Sequence, residues 1–168
     1  MPLNTALELL LNVDQSLDSG LSAGSVPVHL TERRTLTNGT GANQADLVYH
    51  ARRTLVASAT EDLDLAGVLV GTFPGALAFV RIKLIYVVAS SANTNNVILG
   101  GASSNAFVNW VGAATHTVTV RPGGLLVLAA PDATAYAVTA ATGDLLHVAN
   151  SAGSTSVTYD IVLIGASA

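Results

Sequence analysis

The stretch "LAFVRIKLIYVVA", Leu77 to Ala89, decides the fold. Val80, Ile82, Leu84, Tyr86 and Val88 recur at every second residue, with Arg81 and Lys83 between them. That is the period of a strand, whose successive side chains point to opposite faces. Beyond Lys83, Ile85 and Val87 make the second face apolar as well, which predicts cover on both sides at that end. Its longest clean apolar run, Leu84 to Ala89, is far short of the ~18 residues of a membrane-spanning helix.

The same period continues outward. "TVTVR", Thr117 to Arg121, and "LLVLAA", Leu125 to Ala130, flank Pro122-Gly123-Gly124, whose turn chemistry predicts a hairpin. "AYAVT" and "DLLHVAN" flank residues 140–143 and predict another. In "SVTYDIVLIG", Val157, Tyr159, Ile161 and Leu163 alternate with Thr158, Asp160, Val162 and Ile164. On the other side, Val26, Val28 and Leu30 alternate with Pro27, His29 and Thr31, a half-buried strand that Pro27 places at an edge. Eight or more short strands about ten residues apart predict an all-β fold, an antiparallel β-sandwich, with the jelly roll as one form it can take. Thr5 to Val13 suits helix or strand, and Asp14 to Ser25 reads as a polar, glycine-bearing connector. The expected division is therefore residues 1–24 as an N-terminal arm or edge element and 25–168 as the sandwich domain.

Composition constrains the class. A chain of 168 residues fits one domain. Half of it is hydrophobic, and only 11% is charged, against the ~25% of ordinary soluble domains. So little charge predicts a surface covered by other subunits. A net charge of −4 argues against a general nucleic-acid binder, and nothing calls for a membrane partner. The absence of cysteine excludes disulfides and thiolate metal sites. The opening "MPLNTALELLLNV" has no basic n-region and carries Glu8 in its apolar stretch, so no signal peptide is expected.

Signs of chemistry are few. "NGTGANQADLVYH", Asn38 to His50, has the glycines of a phosphate loop but no following lysine before Lys83 and no third glycine at dinucleotide spacing. It reads as a turn, with Asn38, Gly39 and Gly41 suited to positive φ. His29, His50, His116 and His147 lack ligand spacing, and Glu61, Asp62 and Asp64 read as a solvated edge before a calcium site. No G-x-S-x-G elbow is present. No enzyme is expected, and no catalytic, cofactor or metal residue is assigned. The candidate contact residues are apolar Leu7, Leu9, Leu10 and Leu11 on the arm, and the pairs Arg33-Arg34 and Arg52-Arg53. Neighbours on a strand point to opposite sides, so each pair offers one arginine per face, either to keep two neighbouring strands soluble or to dock on an acidic partner. Removing Arg52 and Arg53 together is expected to change the melting temperature little.

"LTNGTGANQADLVYHARRTLVASATEDLDLAG", "FVRIKLIYV", "NTNNVILGG", "RPGGLLVLAAPDATAYAVTAATGDLLHVANS" and "VTYDIVLIG" together cover most of Leu36 to Gly165. In these phrases the chain resembles small structural proteins of tailed bacteriophages, most of all capsid decoration (cement) proteins. The resemblance implies a homo-oligomer, with a trimer favoured, that sits on the capsid surface of the virion and bridges major capsid protein subunits. The chain would be made in the cytoplasm of the bacterial host. It brings no functional residue with it. The alternatives are a tail or head-fibre component, or a carbohydrate- or receptor-binding sandwich, which the single Trp110 and an aromatic content of 5% weaken.

Overall fold

A computed structural model describes residues 2–67, 69–71 and 75–168. The described chain is all-β, and its strands run in the order β1 (Thr5–Asp18), β2 (Ala23–Asn38), β3 (Gln44–Ala45), β4 (Leu47–Leu55), β5 (Thr60–Asp64), β6 (Leu69–Val70) and β7 (Ala76–Leu77). They continue as β8 (Arg81–Ala89), β9 (Val97–Gly100), β10 (Thr117–Val120), β11 (Leu125–Ala129), β12 (Tyr136–Ala137), β13 (Leu145–Asn150) and β14 (Val157–Ala166). Two sheets form the body. The first has the order β11-β8-β14-β4, with β12 beside β8, and the second β10-β9-β13-β5. All their strand pairs are antiparallel.

The sandwich follows from alternation. In β14, Val157, Tyr159, Ile161 and Leu163 are at most 1% exposed, as their period requires, and they join one apolar cluster with Ile85 and Val87 of β8. The second sheet adds Leu63, Val97, Leu99, Leu146 and Val148 to the same cluster, so the two inner faces share one core. Each such aliphatic side chain contributes about 1.5–3 kcal/mol by leaving water.

The deciding strand itself departs from simple alternation. β8 pairs with β14 through Leu84↔Ile164 and then Ile82↔Gly165, which leaves Lys83 as the extra residue of a bulge. Ile82 therefore turns into the main core, while Leu84 belongs to a smaller cluster on the outer face with Ile164, Leu36 and Ala45. The expectation that Ile82 and Leu84 share a face is corrected by that one inserted residue. Lys83, 1% exposed, donates from Nζ to the carbonyls of Gly41, at 3.2 Å, and of Asp132. Burial, and then the nearby Arg81, hold its pKa below the ordinary lysine value.

Both predicted hairpins are also corrected. The Pro122-Gly123-Gly124 turn joins β10 in the second sheet to β11 in the first. Gly123, at φ 73°, donates its N–H to Ala89 O at 3.1 Å, which fixes the crossing against the end of β8. At residues 140–143 the chain does turn tightly, closed by Thr139 N–H to Gly143 O at 3.3 Å. Its flanks diverge, however, β12 to β8 and β13 to β9 and β5.

Asn38 to His50 is a turn followed by strand, and it roots the first two strands on the body. β3 pairs in parallel with the end of β2, and Asn43 donates its N–H to Pro131 O at 2.6 Å. Gln44 Oε1 accepts the N–H of Gly41 at 2.9 Å. Gly39, at φ 139°, is the strained position, and a Cβ there would lie 2.6 Å from Gln44 Oε1. Gly39→Ala should therefore cost about 1–2 kcal/mol, and Gly41→Ala, at an ordinary φ, visibly less. Equal melting temperatures for the two variants would contradict this placement.

Candidate interaction surface

Strands β1 and β2 form one long antiparallel hairpin, from Thr5↔Leu36 at its base to Asp18↔Ala23 at its tip. The tip is closed by Ser19 N–H to Ser22 O at 3.0 Å and by Gly20 N–H to Asp18 Oδ1 at 2.8 Å. Residues 14–25, read from the sequence as a connector, are mostly strand, and the boundary at 24/25 falls inside the hairpin. Val26, Val28 and Leu30 do form a strand, yet it lies in solvent instead of being half-buried.

Directly opposed residues of an antiparallel pair share a face. One face of the ribbon thus carries Leu7, Leu9, Leu11, Val13 and Leu17 of β1 with Val26, Val28 and Leu30 of β2, interrupted by Gln15 and, near the base, by Glu32 and Arg34. The other carries Glu8 opposite Arg33 and Asn12 opposite His29, with Asp14 and Ser25 as diagonal neighbours. These polar pairs are joined: Arg33 Nε lies 3.3 Å from Glu8 Oε1, His29 Nδ1 is 2.9 Å from Asn12 Oδ1, and Ser25 donates to Asp14. The ribbon is amphipathic across its thickness. Leu10, 66% exposed, sits on the polar side and so parts from Leu7, Leu9 and Leu11.

Little covers the apolar face. Of thirteen large hydrophobic residues exposed among the described ones, nine lie on this hairpin, so exposed apolar surface is concentrated there. At the base, Leu7 and Leu36 pack on Leu84, Ile164 and Val127 of the first sheet's outer face. A groove of about 180 Å³ lies between Leu7, Leu9, Glu32 and Arg34 and the edge-strand residues Val127 and Ala129. Past that edge the ribbon runs free, and Leu11, Val13, Val28 and Leu30 are all exposed. The outer sheet face continues beside it with Val162, Tyr86 and Val88 half-buried and Leu125 53% exposed.

The four arginines are placed on opposite faces within each pair, and each already meets a carboxylate of its own chain. Arg33 meets Glu8; Arg34 meets Glu32 at 2.8 Å; Arg52 holds Asp160 in a two-pronged contact at 2.7 and 2.8 Å; Arg53 holds Glu61. Arg52 and Asp160 lie on the outer face, and their hydrogen bond keeps the carboxyl below its usual pKa. Arg53 points inward, where Glu61 also accepts the Tyr159 hydroxyl at 2.7 Å. That triad joins β4 and β14 of one sheet to β5 of the other. These arginines bring no uncompensated positive charge to a partner.

Other candidates stay separate. His147 Nδ1 is 2.6 Å from Asp62, His116 Nδ1 is 3.0 Å from Val111 O, and no metal-ready cluster occurs among the described residues. Trp110 is buried, donating Nε1–H to Phe107 O at 2.9 Å, so the only indole is not a surface platform. Sequence reading missed Asn95 and Asn150, a buried pair linked at 2.9 Å. Their remaining donors tie down the carbonyls of Val56, Ala152 and Thr155. Only spatial proximity reveals it, since 55 residues separate the two.

Fold and surface together define an all-β antiparallel sandwich that carries a projecting amphipathic hairpin. No family model, curated protein or solved structure matches the chain.

Proposed function

We propose that this chain is a structural virion protein of a tailed bacteriophage that decorates the capsid and stabilises it by bridging major capsid protein subunits. The observation that carries the reading is the uncovered apolar ribbon on an otherwise well-packed sandwich. An isolated two-stranded hairpin is at best marginally stable in water, so a ribbon of this length is suited to being covered in an assembly. The sequence resemblance to decoration proteins supplies the class of particle.

Strand order lends support to the jelly-roll form. Chain neighbours β4 and β5, β8 and β9, β10 and β11, and β13 and β14 each divide between the two sheets. Two interleaved Greek keys have this order, an arrangement common among viral capsid and lectin domains. The role is mechanical: added interface area resists outward pressure from packaged DNA.

Particle composition provides the test. Full heads purified from infected cells should carry the chain at a stoichiometry near that of the major capsid protein. Heads free of it, with the chain in the tail fraction or the soluble lysate, would overturn the reading.

A further inference from the structure

We infer that the apolar face of the distal hairpin is a docking surface for a second copy of this chain, and that it lies on the outer face of that copy's first sheet. The inference goes beyond the capsid reading and stands without it.

Continuity with contacts inside the chain points to this occupant. The same ribbon face already packs on the same sheet face at the hairpin base, where Leu7 and Leu36 meet Leu84 and Ile164. The next residues along the ribbon, Leu11, Val13, Val28 and Leu30, are of the same kind but have overshot the sheet edge. The next residues across the sheet, Tyr86, Val127 and Val162, are likewise apolar and only half covered. Each chain thus has a surplus of ribbon and a surplus of sheet, and chemistry that works within one copy can work between two. Donor and acceptor surfaces differ, so the contact is heterologous and closes into a ring when the rotation allows.

Area and charge agree. A free ribbon about 30 Å long and about 10 Å wide offers roughly 300 Å². A copy that both gives and receives one buries roughly twice that over two contacts. Each contact is smaller than the ~800 Å² per partner of an ordinary stable interface, so closure of the ring is what stabilises the assembly. The paired charges Glu8 and Arg33 stay on the wet side of the ribbon, and the Glu32–Arg34 pair on the apolar face is confined to the base beside Leu7 and Leu9, short of the free stretch. A net charge of −4 per chain adds little repulsion between copies.

The experiment uses the purified full chain, with no capsid present. Light scattering at micromolar concentration should give a multiple of the 17.0 kDa chain mass. The combined variant Leu11→Thr, Val13→Thr, Val28→Thr and Leu30→Thr keeps strand-forming residues but removes the apolar face. It should run at the single-chain mass, with the emission of buried Trp110 unchanged as evidence that the sandwich is folded. The chain has no cysteine, so engineered thiols report uniquely. Leu30→Cys and Val162→Cys chains, co-expressed and oxidised, should form a mixed, dimer-sized disulfide that neither forms alone. A monomeric wild type, a threonine variant that keeps its oligomeric mass, or cross-linking of Leu30→Cys only to itself would each overturn the inference. Failure to find the chain on phage heads would leave these results unaffected and would count against the capsid role alone.

Discussion

Gly165→Ala should abolish the cooperative fold or lower stability by at least about 3 kcal/mol, a large share of the ~5–15 kcal/mol that holds a domain together. Gly165 lies at the register shift where β14 meets the Lys83 bulge. A Cβ there would overlap the carbonyl oxygen of Arg81 and come within 2.7 Å of Phe79 Cδ1. Phe79 is 2% exposed in the main core, and the Arg81 carbonyl belongs to backbone, so neither can yield cheaply. Urea denaturation monitored by Trp110 emission measures the loss. A midpoint within a few tenths molar of the wild type would show that the bulge adapts and that the close approach is not required.

Arg53→Ala should be the most damaging of the arginine substitutions, while Arg52→Ala should leave the melting temperature unchanged. The two differ because β4 points them to opposite sides. The Arg52 side chain is 75% exposed on the outer face, where an ion pair gains little. Glu61, the partner of Arg53, is only 15% exposed, and losing the guanidinium leaves a largely buried carboxylate. With Arg53 itself 41% exposed, the cost is about 2 kcal/mol, below that of a fully buried pair. This replaces the expectation that the two arginines together matter little to stability.

Tyr159 gives the triad a pH signature. Burial, and then its hydrogen bond to Glu61, raise the hydroxyl's pKa above the ordinary value, and burial does the same for Tyr49. Above about pH 10 the unfolded chain releases protons that the folded chain retains. Stability is therefore fully present below that pH and falls as pH rises beyond it, by about 1.4 kcal/mol per unit for each such tyrosine. Tyr159→Phe should make this alkaline decline shallower while costing about 1–2 kcal/mol at neutral pH, where Glu61 loses a donor. Equal alkaline slopes for variant and wild type would remove Tyr159 from this role.

The sequence made strands legible wherever alternation ran unbroken, and β14 is the clearest case. It concealed the bulge, because one unpaired residue at Lys83 reverses every later side chain without altering composition. Pro122-Gly123-Gly124 has the same local chemistry whether it closes a hairpin or crosses between sheets. The choice depends on β8 and β9, which lie outside the turn. In the hairpin, Leu9-Leu10-Leu11 hides the period of two. Ser16, Asp18 and Ser25 read as a flexible tether, yet they occupy the wet face of a ribbon. The apolar contact residues were visible as residue types, but their shared face depended on pairing with β2. Arg52 could not be matched to Asp160 from the sequence, since they stand 108 positions apart.

The interleaved strand order also governs how the chain reaches its fold. β14 lies between β8 and β4, and β13 lies between β9 and β5, so one central strand of each sheet is among the last two in the sequence. During synthesis β4 and β5 emerge with no partner in their sheets, while β8 and β9 can pair only with β11, β12 and β10. Neither sheet is complete until residues 145–166 arrive. Contacts of such long sequence separation make folding slow, because loop closure must precede any reward. Meanwhile the hairpin, whose strands are neighbours in sequence, can form early and present its leucines to other nascent chains. The protein is thus most exposed to misassembly before its final strands are made, and β13 and β14 act as keystones that complete both sheets in one step.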